Sequence, residues 1–168
     1  MSTQNKKDAK TNSDVIEQSE VSIEKSDAAD LDYHTVLVGL TGKLSTKSNG
    51  TIGFELARNK QDKELYIRAT SNSDAGLFSK EWISMEAIYT LLDKHKDQPF
   101  KSSIFKSVIN GASSNNTSFL AAILRDKDIA LLVPAEKGIY SHQVNPLITN
   151  QQDALNKLKP LPQPTVAS

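Results

Sequence analysis

Cysteine is missing from all 168 residues, which removes both a disulfide framework and a thiolate metal site. No segment approaches the roughly 20 consecutive apolar residues of a membrane helix. Lys6, Lys7 and Lys10 near the N-terminus have no apolar stretch behind them, so they do not read as a secretory signal. Together these absences lead us to expect a cytoplasmic protein without a membrane partner. Catalytic signatures are missing as well: there is no Gly-x-Ser-x-Gly elbow, no phosphate-binding glycine loop and no His-Glu-x-x-His pair. The three histidines, His34, His95 and His142, are too far apart for metal-ligand spacing. Asp126-Lys127-Asp128 lacks the glycine and distal glutamate of a calcium loop and reads as a solvated turn. The expectation is a non-enzymatic chain with no metal and no cofactor.

What is present is unevenly distributed. Residues 1–32 carry four lysines against eight acids, a net −4, while residues 33–150 carry 14 basic against 11 acidic residues, a net +3. The first segment is poor in apolar residues and is expected to be a disordered acidic tail, able to fold back over a basic surface. Residues 33–98 read as an antiparallel sheet plus helix. Residues 99–145 read as helices plus a hairpin packed on or extending that unit, and residues 146–168 as a polar tail marked by Pro160, Pro162 and Pro164. The fold class is therefore α+β, with a sheet of three to four strands covered on one face by a helix.

The 39 residues from His34 to Asn72 carry the sheet signal. Val36, Val38 and Leu40 alternate with Leu37, Gly39 and Thr41 in a first strand, Thr35 to Leu44. Asn49-Gly50 predicts a tight hairpin turn with positive φ angles. The second strand, Thr51 to Asn59, places Ile52, Phe54 and Leu56 on one face. The third, Lys63 to Thr70, sets Leu65, Ile67 and Ala69 against Tyr66, Arg68 and Thr70. Leu77 to Ile83 is expected as a short fourth strand. Ser84 is the N-cap expected for a helix carrying Met85, Ile88, Leu91, Leu92 and His95 at helical spacing, with Pro99 marking its end.

The order of three strands ending in Leu65-Tyr66-Ile67-Arg68, a polar loop, Gly76-Leu77-Phe78-Ser79-Lys80, and then Ile83-Ser84-Met85-Glu86-Ala87-Ile88 resembles the positive-cofactor-four transcriptional coactivator family. The resemblance covers residues 36–95. It implies a curved antiparallel sheet, a homodimer, and binding of single-stranded DNA in transcription regulation. Phe78-Ser79-Lys80-Glu81-Trp82 departs from the Lys-Gly pair usual there. The residues it implies as nucleic-acid contacts are Lys43, Arg58, Lys63, Tyr66, Arg68, Lys80 and Trp82. Base stacking on aromatics beside basic groups is the physical rationale, although Glu55 on the Tyr66 face would repel phosphate.

Further along, Ile104, Phe105, Val108 and Ile109 fit a short helix stopped at Asn110-Gly111. The run Phe119 to Leu124 fits a helix capped near Asn116 or Thr117, or alternatively a buried strand joined through Asp126-Lys127-Asp128 to Ile129–Val133. With the hairpin Ile129–Val133 and Gly138–His142, the helical reading has the chain order of a winged helix. Asn115, Asn116, Ser118 and Arg125 would then face a DNA groove, with Lys137 on the wing. The second functional class is a protein-interaction or assembly module with no nucleic-acid role. One continuous basic patch on the folded chain would separate the two.

Overall fold

The computed structural model describes residues 31–163. By its contacts the chain divides into Met1–Tyr33 and His34–Ser168. Only three residues of the first part are described, so the expected disorder of residues 1–32 falls almost wholly outside the described residues. The fold below is that of the second part.

Four strands, β1 (Tyr33–Gly42), β2 (Thr51–Asn59), β3 (Leu65–Asn72) and β4 (Ile83–Ser84), form an antiparallel sheet in the order β1-β2-β3-β4. Glu55 lies opposite Arg68, Leu56 opposite Ile67 and Ala57 opposite Tyr66, so one face is apolar and the other mixed, as the alternation predicts. A bulge between Gly53 and Phe54 shifts the register near the start of β2. The hairpin from β1 to β2 forms, with Lys43 N–H donating to Gly50 O at 3.2 Å. Its turn is not the tight one expected. Neither Asn49 nor Gly50 has a positive φ, and the chain turns at Ser45–Ser48 inside a longer loop. The expected fourth strand shrinks to Ile83–Ser84, because residues 76–82 leave the sheet to cover a helix.

β1 also departs from its simple alternation. Val36 is buried, but Val38 and Leu40 are 61% and 63% exposed. The reason is Gly39: a Cβ there would lie 2.2 Å from the Phe54 ring. Phe54 occupies the core volume beside β1, and the neighbouring aliphatics stand outward.

Helix α1 (Met85–Lys94) starts where expected, the Ser84 hydroxyl accepting Ala87 N–H at 3.1 Å. It buries Met85, Ile88 and Leu92 against β3 and β4. β5 (Phe100–Lys101), a 3-10 helix (Ser102–Val108), α2 (Asn115–Arg125), β6 (Leu132–Pro134) and β7 (Ser141–Val144) follow. The second sheet has the order β5-β7-β6. The structure thus resolves the run Phe119–Leu124 as helix, and the chain order is the one expected of a winged helix, with β5 as its third strand. α3 (Ile148–Asn156) closes the fold, and Leu161 N–H donates to Thr35 O at 2.7 Å beside β1. α2 packs against β2, β3, β6 and the 3-10 helix, and one hydrophobic cluster runs from Val36 to Leu155.

Candidate nucleic-acid interface

The winged-helix order of elements expected from the sequence makes α2 the first element to consider. An α-helix that reads a groove needs one polar, solvated face. Here Phe119, Leu120, Ala121, Ala122, Ile123 and Leu124 are all buried, which takes in the whole circumference of the helix. The groove-facing role expected of Asn115, Asn116, Ser118 and Arg125 does not hold. Asn116 is 7% exposed and its Oδ1 accepts Ser79 N–H at 2.8 Å. Asn115 Nδ2 donates to Leu77 O at 3.0 Å, and Ser118 Oγ donates to Asn115 O. Arg125 Nη1 donates to Ile139 O at 3.4 Å, and burial lowers the pKa of its guanidinium. The Phe78 ring packs 6.1 Å from that of Phe119. The sheet and residues 77–81 therefore cover the helix. The signal was in the sequence: six consecutive apolar residues leave no polar stripe. Lys137 is exposed on the loop between β6 and β7, as expected.

The seven expected contact residues do not form one patch. Lys43 lies beside Gly50 at one end of β2, and Arg58 pairs with Leu65 near the other. Eight residues of strand separate those ends, about 26 Å at ~3.3 Å per residue. Lys43 Nζ is 2.7 Å from Asp74 Oδ2 and 5.4 Å from the centre of the Phe119 ring. The Lys43 hydrogen bond and charge hold the Asp74 carboxyl below its ordinary pKa. Arg58 donates to Lys63 O at 2.8 Å and to Asn156 O at 3.0 Å. Lys63 has a left-handed φ of 66° and donates through Nζ to Lys60 O. Lys80 is exposed, with Nζ 5.9 Å from the Phe78 ring centre.

Tyr66, Arg68 and Trp82 do come together. Arg68 Cζ stacks 4.1 Å from the Trp82 ring centre, and Tyr66 shares the Arg68 face of β3. Carboxylates accompany them. Arg68 donates through Nη2 and Nε to Glu55 Oε2 at 2.9 and 3.1 Å, and Glu55 also accepts the Thr35 hydroxyl. The Tyr66 hydroxyl donates to Asp62 Oδ2 at 2.6 Å, which lowers the Asp62 pKa. A phosphate approaching this face meets charge that is already compensated.

One constellation was not foreseen. Ser102 Oγ and His142 Nε2 are 2.7 Å apart, the spacing of a nucleophile and its base. Both are buried, at 5% and 0% exposure, and no hydrogen bond among the described residues reaches His142 Nδ1 to orient the ring. Burial, and then the Arg125 charge, push the His142 pKa down to about 4. The pair is a packed polar contact beneath Phe100, whose ring centre is 6.0 Å from that of His142. Sequence separation hid it, because only the return of β7 beside β5 brings residues 102 and 142 together.

No protein-family model, curated protein or solved structure matches this chain. Among the described residues no group of three or more His, Asp or Glu side chains could hold a metal ion, and no helix is long and apolar enough to cross a membrane.

Proposed function

We propose that this chain is a non-enzymatic assembly module that pairs with a second copy of itself along β1 from Val36 onward, past Thr35, whose carbonyl already accepts Leu161 N–H. The observation that carries this reading is the exposure of Val38 and Leu40 on a ten-residue strand at the edge of the sheet. Edge strands are ordinarily blunted by Lys, Pro or other charged residues. β1 contains no Lys, Arg, Asp, Glu or Pro. An antiparallel copy across a two-fold axis therefore brings no like charges opposite one another. Cross-strand contacts among four such side chains per dimer return about 0.2–1 kcal/mol each, beside the main-chain hydrogen bonds of the new strand pair. That gain meets an association cost of at least about 4 kcal/mol, so the pairing is weak and concentration-dependent. Sedimentation velocity over a concentration series tests it. The expected result is a reversible monomer–dimer equilibrium that Val38→Lys returns to monomer; a chain that stays monomeric at every concentration refutes it.

A second reading, a single-stranded DNA-binding protein linked to transcription, is favoured by one observation. The Arg68–Trp82 stack beside Tyr66 offers a platform on which a base could lie. Fluorescence anisotropy with labelled single-stranded and duplex oligonucleotides at two salt concentrations tests that reading, and no binding at low salt sinks it.

A further inference from the structure

The chain that leaves α3 is held against the start of β1. Leu155 is 2% exposed, Leu158 packs against the core, and Asn156 O accepts Arg58 Nη2 at 3.0 Å. The segment then passes Thr35, whose carbonyl accepts Leu161 N–H at 2.7 Å. Pro160 and Pro162 stand on either side of Leu161. Successive residues of an extended segment turn their amide groups to opposite sides, so Leu161 faces β1 and the two prolines fall at the outward positions. Proline has no N–H, so the far side of this segment offers a further strand no donor. Bonded to β1 on one side and blunted on the other, Pro160-Leu161-Pro162 closes the edge as far as Thr35.

A closed start restricts how two copies of β1 can be aligned. In an antiparallel pair of identical strands the opposed side chains share a face, so the two-fold axis passes between two copies of one residue. Were all of Tyr33–Gly42 open, an axis at Leu37 would pair Tyr33–Thr41 and an axis at Val38 would pair His34–Gly42, two alignments of equal length. With the edge closed through Thr35, an axis at Val38 keeps only Val36–Leu40, whereas an axis at Gly39 keeps the whole of Val36–Gly42. The Gly39 axis also sets Val38 of each copy opposite Leu40 of the other, so the exposed aliphatics of both chains meet in one cluster.

We infer, resting on the β1 pairing proposed above, that Pro160-Leu161-Pro162 is a register stop for a second copy of this chain. It closes β1 through Thr35 and places Gly39 on the dimer axis.

The sequence contains no cysteine, so introduced cysteines report the register without background. Full chains carrying Val38→Cys and Leu40→Cys are mixed in a glutathione redox buffer, with glutathione disulfide as the oxidant, and the linked dimers are quantified by mass spectrometry. Opposed Cβ atoms lie about 4.5–5.5 Å apart and diagonal ones about 7–8 Å, so the mixed 38–40 disulfide should exceed the 38–38 and the 40–40 disulfides about tenfold each. Leu161→Pro removes the N–H that bonds Thr35, at a side chain 42% exposed and outside the core. In that background the 38–38 disulfide, the product of an axis at Val38, should rise about fivefold. Leu147→Cys, exposed and outside β1, gives the yield of chance collision. A dominant 38–38 product with the natural tail, or a pattern that Leu161→Pro leaves unchanged, overturns the stop and leaves the β1 pairing standing. Yields no higher than that of Leu147→Cys overturn the pairing and the stop together.

Discussion

Lowering the pH should destabilise this protein through His142 well before its carboxylates are fully protonated. The ring is buried and held neutral, its pKa pushed down from 6.5 to about 4 by burial and by the Arg125 charge. In the unfolded chain it regains the ordinary value. The unfolded state therefore binds more protons below about pH 6.5, so this contribution to stability is intact above that value and is lost as pH falls towards 4. A gap of about 2.5 pH units, at 1.36 kcal/mol each, is worth about 3.4 kcal/mol once both values are passed, and about 2 kcal/mol at pH 5. That is a large share of the ~5–15 kcal/mol by which domains are stable. Urea unfolding at about pH 7.5 and about pH 5 measures it, comparing the natural chain with His142→Gln. The variant loses stability at both pH values through its altered packing, but its pH dependence over this window should be shallower by about 2 kcal/mol. Parallel profiles for the two chains would show that His142 is protonated in the folded state, and would refute the argument.

Two further substitutions probe the sheet. Gly39→Ala pushes a methyl group into the Phe54 ring and should cost about 1–3 kcal/mol in urea denaturation, with Phe54→Leu restoring part of the loss. Glu55→Gln removes the carboxylate from Arg68 and from the Thr35 hydroxyl, at an expected cost of about 1–3 kcal/mol. If the Tyr66–Arg68–Trp82 face binds single strands, the same change tightens binding in the anisotropy assay; unchanged binding assigns any DNA contact to another surface.

The two readings of function separate at places where local pattern and tertiary contact disagree. Strand alternation on β2 and β3, the Ser84 cap and the spacing of Met85, Ile88 and Leu92 were all legible, because each depends on residues within a few positions of one another. The β1 face was not legible, because Gly39 is contradicted only by a ring on the neighbouring strand. Basic residues were identified correctly as residues, but their distribution was not. Lys43 and Arg58 end up at opposite ends of β2, and Arg68 finds its acid across the sheet.

The amino-acid sequence by itself determined the fold class, the order β1, β2, β3, α1 and the absence of cysteine chemistry, since periodicity, caps and composition act locally. Only the tertiary structure decided that α2 is sealed under the sheet, that Ser102 meets His142, and that the buried Asn116 Nδ2 has no partner among the described residues. These contacts join segments far apart in the chain, β2 and β3 with α2, Ser79 with Asn116 and Ser102 with His142, and no local pattern encodes which distant side chain will arrive.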